Sequence, residues 1–357
     1  MSTSGNAEGK AVTSVSWRTA WQQALYGPDG FYRRHLPANH FRTSSIAAAD
    51  VLAEALDALT ERFGLRRVVE VGAGGGELLT ALRHNGSDLQ LTGVEMRPRP
   101  EGLDPEIGWQ ESLPTLDDTP TLLVAIEVLD VIPVTIAEQD ASGAMREVLV
   151  TPDGSEDLGP GVDEADGAWY RRWHHQRYRR AEIGRTRDDF AALLAQSLPQ
   201  GTLLLVDYGH LGPSPTPTLT GFRAGRAVPA VPDGSCDLTA HVRWDSLVER
   251  VRTLPGMSDP WLQTQREALR ELCGVPGLRH PTQVIGRPPS AVDPLSPSTP
   301  STGPGPDHPS PAVGDPSAYL TELNRRSLFA ELTDPDGLGA QHWLISHAGA
   351  SAHSPGS

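Results

Sequence analysis

Lysine is almost missing from this 357-residue chain: Lys10 is the only one, so nearly all positive charge is arginine. Positive charge is also outnumbered, 30 Lys and Arg against 45 Asp and Glu, for a formal net charge of -15. That balance excludes non-specific binding to nucleic acid or to an anionic membrane surface, both of which need clustered basic residues. The one basic cluster, Arg171, Arg172, Arg177, Arg179 and Arg180, is interleaved with Trp173 and Tyr178 and reads as a solvated helix face. Cysteine is scarce as well. Cys236 and Cys273 offer neither a disulfide framework nor metal-ligand spacing, so no metal is expected and a reducing cytoplasm is the expected compartment. The first ten residues lack the apolar core of a signal peptide. Long apolar runs are absent too: residues 122–126 and 203–206 are strand-sized, which leaves no transmembrane helix.

What is present is a chain long enough for one large α/β domain with additions. Its organising stretch is Val68-Val69-Glu70-Val71-Gly72-Ala73-Gly74-Gly75-Gly76-Glu77-Leu78-Leu79, an apolar run, a glycine cluster and helix-period apolar residues. This predicts a buried strand turning tightly into a helix, with backbone open to a nucleoside-type ligand. A dinucleotide fingerprint would place a small residue at position 77. Glu77 stands there instead, and a carboxylate at a helix N-terminus repels a pyrophosphate that needs the same amides. Nineteen residues after Gly76, Glu95 ends the next apolar run, where an acid accepts hydrogen bonds from both ribose hydroxyls.

Strand and helix patterns alternate through residues 44–133, and 201–209 add a fifth strand, which predicts a mostly parallel, doubly wound sheet. Residues 134–151 predict a hairpin around Asp140-Ala141-Ser142-Gly143, followed by a polar loop to Gly167. Helices are expected at 17–25, 188–198, 245–252 and 261–273, and a long loop at 211–232. The domain plan is an N-terminal helical cap (1–64), a core (65–285) with inserts at 134–187 and 210–245, a Pro- and Ser-rich linker (286–316) and a C-terminal helix and strand (317–357). The linker cannot bury a core and should be disordered or extended, while the last strand should return to the sheet edge.

The motif Glu70, Gly72, Gly74, Gly76 is similar to the first motif of class I S-adenosyl-L-methionine (SAM) methyltransferases, E-x-G-x-G-x-G. Further motifs resemble the MidA-like methyltransferases, a family that includes the mitochondrial complex I assembly factor that methylates a protein arginine. Ala24-Leu25-Tyr26-Gly27-Pro28-Asp29-Gly30-Phe31-Tyr32 resembles its A-L-Y-x-P-x-x-G-Y-Y, one residue shorter, and Phe41-Arg42-Thr43 resembles its D-F-x-T. Ile126-Glu127-Val128-Leu129-Asp130-Val131-Ile132-Pro133-Val134 is similar to N-E-F-F-D-A-L-P-V, Asp207-Tyr208-Gly209 to D-Y-G, and Asp237-Leu238-Thr239-Ala240-His241-Val242 to D-[IL]-T-A-H-V; Thr264-Gln265 match a later family position. The resemblance covers most of the chain outside the linker. It departs at Ile126, where the family has Asn, and at Ser44-Ser45-Ile46, which replaces Pro-Glu.

The resemblance implies a Rossmann-like fold, SAM as cofactor and a protein arginine as methyl acceptor. A small-molecule methyltransferase, or an assembly factor acting through its surface, are the competing functions. Cofactor binding falls to Glu70, Gly72, Gly74, Gly76 and Glu95, with Glu111 facing the adenine or simply exposed. Glu127 either orients the acceptor or caps a helix. Asp130, Asp207 and His241 are candidates for the released proton, each with a structural alternative, and Asp237 and Thr239 suit a turn or cap equally well.

Overall fold

The computed structural model describes residues 13–34, 48–174, 178–274 and 316–349, apart from the side chains of 316–322. The expected linker up to residue 315, the Phe41-Arg42-Thr43 and Ser44-Ser45-Ile46 motifs and Arg177 lie outside the described residues. Seven strands build the central sheet: β1 (Arg67–Val71), β2 (Gln90–Val94), β3 (Gly108–Gln110), β4 (Thr121–Ile126), β5 (Gly201–Asp207), β6 (Trp261–Thr264) and β7 (His342–Ala348). Their order is β6-β7-β5-β4-β1-β2-β3, and β7 is antiparallel to both of its neighbours. The first five strands run parallel. The chain steps outward from β1 to β3 and returns to β4 on the other side of β1. That reversal opens a crevice at the strands' carboxyl ends, where ligands bind in such sheets.

The main helices are α1 (Trp17–Tyr26), α2 (Ala49–Phe63), α3 (Glu77–His84), α4 (Glu164–Trp173), α5 (Arg185–Gln196), α6 (Trp244–Arg252), α7 (Gln265–Leu272) and α8 (Pro316–Leu332). Strands buried on both faces explain the continuous apolar runs. On one face Leu122, Val124 and Ile126 of β4 pack with Leu52 and Leu56 of α2 and Leu78 and Leu82 of α3. On the other, Leu123 and Ala125 pack with Ala191 and Leu194 of α5 and Trp244 and Leu247 of α6. Gly64 closes α2 in the left-handed conformation expected of a helix C-terminus, φ 63°.

The hairpin expected at 134–151 is present, as Thr135–Gln139 paired with Met145–Val150. It belongs to a larger antiparallel sheet with Val15–Ser16, Glu156–Gly161 and Arg180–Ile183. The polar loop to Gly167 therefore contains a strand, largely exposed, whose pairing is carried by backbone rather than by an apolar face. Helix α1 packs on this sheet, Trp17, Trp21 and Leu25 clustering with its Ile136 and Val148 and with Leu238 from outside it, whereas α2 packs on the central sheet.

Several other expectations are corrected. Residues 211–232 are not one loop: Thr220–Arg223 pairs with Arg226–Val228 and with Asp237–Thr239. The helix expected at 261–273 begins only at Gln265, because Trp261–Thr264 pairs with β7 and Thr264 and Glu267 form a capping box. Consequently β7 lies inside the sheet and β6 is the edge. The arginine cluster is not one helix face either. Arg171 and Arg172 end α4, while Arg179 pairs with Glu138 at 3.3 Å and Arg180 pairs with Glu156 at 2.7 Å. Among the described residues no helix is long and apolar enough to cross a membrane.

Candidate functional site

The glycine cluster forms the turn between β1 and α3. Gly72 and Gly74 have φ of 77° and 59°, a region L side chains rarely adopt. A Cβ at Gly72 would also fall 2.5 Å from Val128 Cγ2. The Gly72 amide donates to the Val94 carbonyl at 2.9 Å, which fixes the turn against the end of β2. There the Gly74 amide donates to Glu95 Oε2 at 3.1 Å. Glu95 Oε1 accepts from the Arg97 amide and from Arg97 Nε, both at 3.2 Å. The first residue of α3, Glu77, folds back to accept the Gly75 amide at 2.9 Å, taking a donor that a pyrophosphate would need.

Over this turn opens a cleft of about 900 Å³ whose walls include Gly72, Gly74, Glu95, Glu111, Ile126 and Glu127, closed on one side by Tyr26 and Tyr32. Its volume suits a small-molecule cofactor. Glu111 is exposed at its wall. Two expected cofactor residues do not line it. Gly76, φ 79°, is the N-cap of α3 and packs on Leu103 and Trp109. Glu70 is 3% exposed within β1, and its Oε2 has no hydrogen-bond partner among the described residues. Burial, then Glu77 and Glu95, push its carboxyl up to about 8.

A second chamber, about 380 Å³, adjoins the cleft. Glu127 and Val131 line both cavities, and Asp130, Tyr208, Phe222 and His241 line only the second of these two. Glu127 has φ 52°, an uncommon conformation for a residue with a side chain and one that surrounding structure must impose. Its amide donates to the Val206 carbonyl at 2.8 Å, and its carboxylate accepts the Gln341 amide at 2.5 Å. Asp207 completes the turn from beneath. Fully buried, it accepts the amides of Leu129 at 2.8 Å and Asp130 at 3.0 Å on Oδ2, and that of Tyr208 at 2.7 Å on Oδ1. It lines neither cavity and acts on the site through the backbone it holds. His241 lines the chamber, its amide bonded to Thr218 Oγ1 at 2.9 Å and its ring 6.5 Å from that of His210. Desolvation, then His210, hold its imidazole below the ordinary value.

Arg187 of α5, which no sequence motif singles out, joins the two loops that wall the chamber. It is 2% exposed and, among the described residues, donates to four carbonyls: Asp130 at 2.7 Å, Ile132 at 3.1 Å, Ala240 at 2.8 Å and His241 at 2.9 Å. Tyr32 donates to Asp237 at 2.9 Å, which resolves Asp237 as a buried partner of the N-terminal segment. Tyr26 OH reaches the Val131 carbonyl at 3.2 Å and Trp21 Nε1 the Leu238 carbonyl at 3.1 Å. The two aromatic and acidic motifs therefore form one wall.

A family model described as "Putative S-adenosyl-L-methionine-dependent methyltransferase" matches residues 48–261, more than half of the chain. Two crystal structures from Burkholderia thailandensis share the fold at 19% identity. One, a COG1565 superfamily member bound to S-adenosyl-homocysteine, has a TM-score of 0.68 over 95% of this chain and 89% of that one. The other, a native structure from the same superfamily, has a TM-score of 0.66 over 94% and 87%. No curated protein matches the sequence.

Proposed function

The chain belongs to this family of SAM-dependent methyltransferases, and from that premise we propose that it methylates an arginine side chain of a protein. The observation that carries the reading is the position of Glu127, a carboxylate on a constrained turn between a cofactor-sized cleft and a smaller chamber. The cleft suits SAM. Its backbone is open at Gly72 and Gly74, and Glu95 stands beside the Gly74 amide. In this reading Gly72 and Gly74 face the amino-acid and ribose portions, Glu95 takes the ribose hydroxyls, and Glu111 lies toward the adenine. Gly76 shapes the turn by starting α3.

Bound SAM supplies an activated methyl group on its positive sulfur. The protein then has to align the acceptor and exclude water. Guanidinium is a reluctant nucleophile, with a pKa above about 12 and a delocalised lone pair. A carboxylate grips two of its N–H groups and turns the remaining nitrogen toward the cleft. Glu127 fills that role, Asp207 holds its turn, and His241 faces it across the chamber. The resemblance to a family that includes a protein-arginine methyltransferase supports the acceptor, as does the acidic, aromatic lining of the chamber.

Tritiated SAM incubated with the protein and a heat-treated lysate, followed by acid hydrolysis, tests the reading. Label should appear in protein-derived methylarginine. Label in a small metabolite would replace arginine by a small-molecule acceptor, and no transfer at all would leave an interaction factor. Glu127→Gln should keep SAM affinity and reduce transfer by about a hundredfold.

A further inference from the structure

We propose that Asp130 is the catalytic residue that takes the proton released from the acceptor during methyl transfer. The inference rests on the methyltransferase reading but not on arginine, because any N–H or O–H acceptor releases one proton per methyl gained.

Asp130 lies three residues after Glu127 on the same turn, and both line the second chamber. An acceptor gripped by Glu127 is therefore beside Asp130. The main chain of Asp130 is fully committed: its amide is held by Asp207 and its carbonyl accepts from Arg187 and from the Ala240 amide at 3.0 Å. The side chain is less so: the Val131 amide and its own act on the carboxylate, but one oxygen is left over. Oδ1 is buried and has no hydrogen-bond partner among the described residues. A buried carboxylate oxygen without a donor is costly in a folded protein and marks a place where a ligand group brings one.

The other two candidates are less suited. Asp207 has both oxygens occupied by backbone amides and does not reach the chamber. His241 comes from the facing loop, and desolvation and then His210 make its ring a weaker base. Asp130, by contrast, is a stronger base than an ordinary aspartate, pushed up to about 7 by burial and then by Glu127, with Arg187 opposing. The remaining groups that face it across the packed elements are Tyr26 at the end of α1 and Tyr32 after it, Asp207 and Tyr208 from β5 and its end, and Asp237. In the step itself the acceptor lone pair forms the new bond to the methyl carbon. The carbon–sulfur bond breaks with its electron pair left on sulfur, and the acceptor's proton moves to the Asp130 carboxylate and later to solvent.

The test compares wild type, Asp130→Asn and His241→Gln in the tritiated-SAM lysate assay from pH 5.5 to 9, at SAM concentrations that saturate each protein at every pH, with SAM titration calorimetry of each. Wild-type transfer should fall about tenfold per unit as pH drops below about 7. Asp130→Asn should bind SAM within about twofold of wild type, transfer at least about a hundredfold more slowly and lose that acidic limb. His241→Gln should retain the limb. Carboxyl-carbon NMR of labelled aspartate, wild type against Asp130→Asn, gives a readout without turnover: one resonance titrating near 7 should vanish in the variant. The proposal is overturned if Asp130→Asn keeps the limb, if the limb disappears in His241→Gln, or if no aspartate resonance titrating near 7 is lost. Label in a non-arginine acceptor with these results unchanged overturns only the arginine reading, whereas a wild type that transfers nothing overturns both.

Discussion

The Gln341 side-chain amide donates to Glu127 Oε1 at 2.5 Å, joining the turn after β4 to the residue before β7 across 214 positions of sequence. Gln341 is fully buried, and its own carbonyl accepts the Gln265 amide at 2.7 Å. The orientation of Glu127 therefore depends on the C-terminal part of the sheet. Gln341→Ala should lower methyl transfer about tenfold with SAM affinity little changed, since it removes a bond that aims the carboxylate rather than a wall of the cleft. Stability should fall by about 1–3 kcal/mol, the range for removing one partner of a buried polar pair, as read by denaturant unfolding.

The same dependence separates the two parts of the C-terminal third. Replacing residues 286–315 by a short Gly/Ser linker should shift the melting temperature by no more than about 2 °C, because closure entropy changes slowly with loop length. A chain ending at Pro316 should give no soluble protein. It would lose β7, which pairs with β5 along its length and carries the edge strand β6. Equal behaviour of the two variants would refute the division.

Much of this was legible because burial is continuous along the central strands. β1, β2, β4 and β5 are buried on both faces, so their apolar runs announce them, and the glycines and Glu95 follow from what the turn must do. β6 was hidden, since its four residues are only partly buried and derive their strand character from pairing with β7. The Thr264–Glu267 capping box was the available signal for the true helix start. Arg187 and Gln341 left no signature. Arg187 contacts carbonyls of two remote loops, which any residue type can supply, and Gln341 meets Glu127 only after the sheet has assembled.

Ligand binding gives a direct check of the cleft. SAM and S-adenosylhomocysteine should raise the melting temperature and NAD should not, because stabilisation follows affinity for the folded state and Glu77 already holds the Gly75 amide. Glu95→Ala should weaken SAM about tenfold, equivalent to about 1.4 kcal/mol. Calorimetric titration of both proteins measures the difference. Stabilisation by NAD alone would sink the assignment.

Burial of carboxyls in this acidic chain sets the direction of its pH response. Glu70 is pushed up to about 8 and Asp188 to about 7, burial being the main cause for each. In the unfolded chain these groups titrate near 4. Between the unfolded and folded values the native state binds more protons, so the free energy of unfolding falls as pH rises. Their contribution is fully present below about pH 4 and lost by the time pH has passed about 8. The melting temperature should therefore decrease between pH 6 and 9. Glu70→Gln keeps the shape and removes the charge, so at pH 8.5 it should melt above wild type, with the gap closing toward pH 6. A wild-type melting temperature that does not change over this range would contradict the assignment of Glu70 as a carboxyl held neutral by its burial.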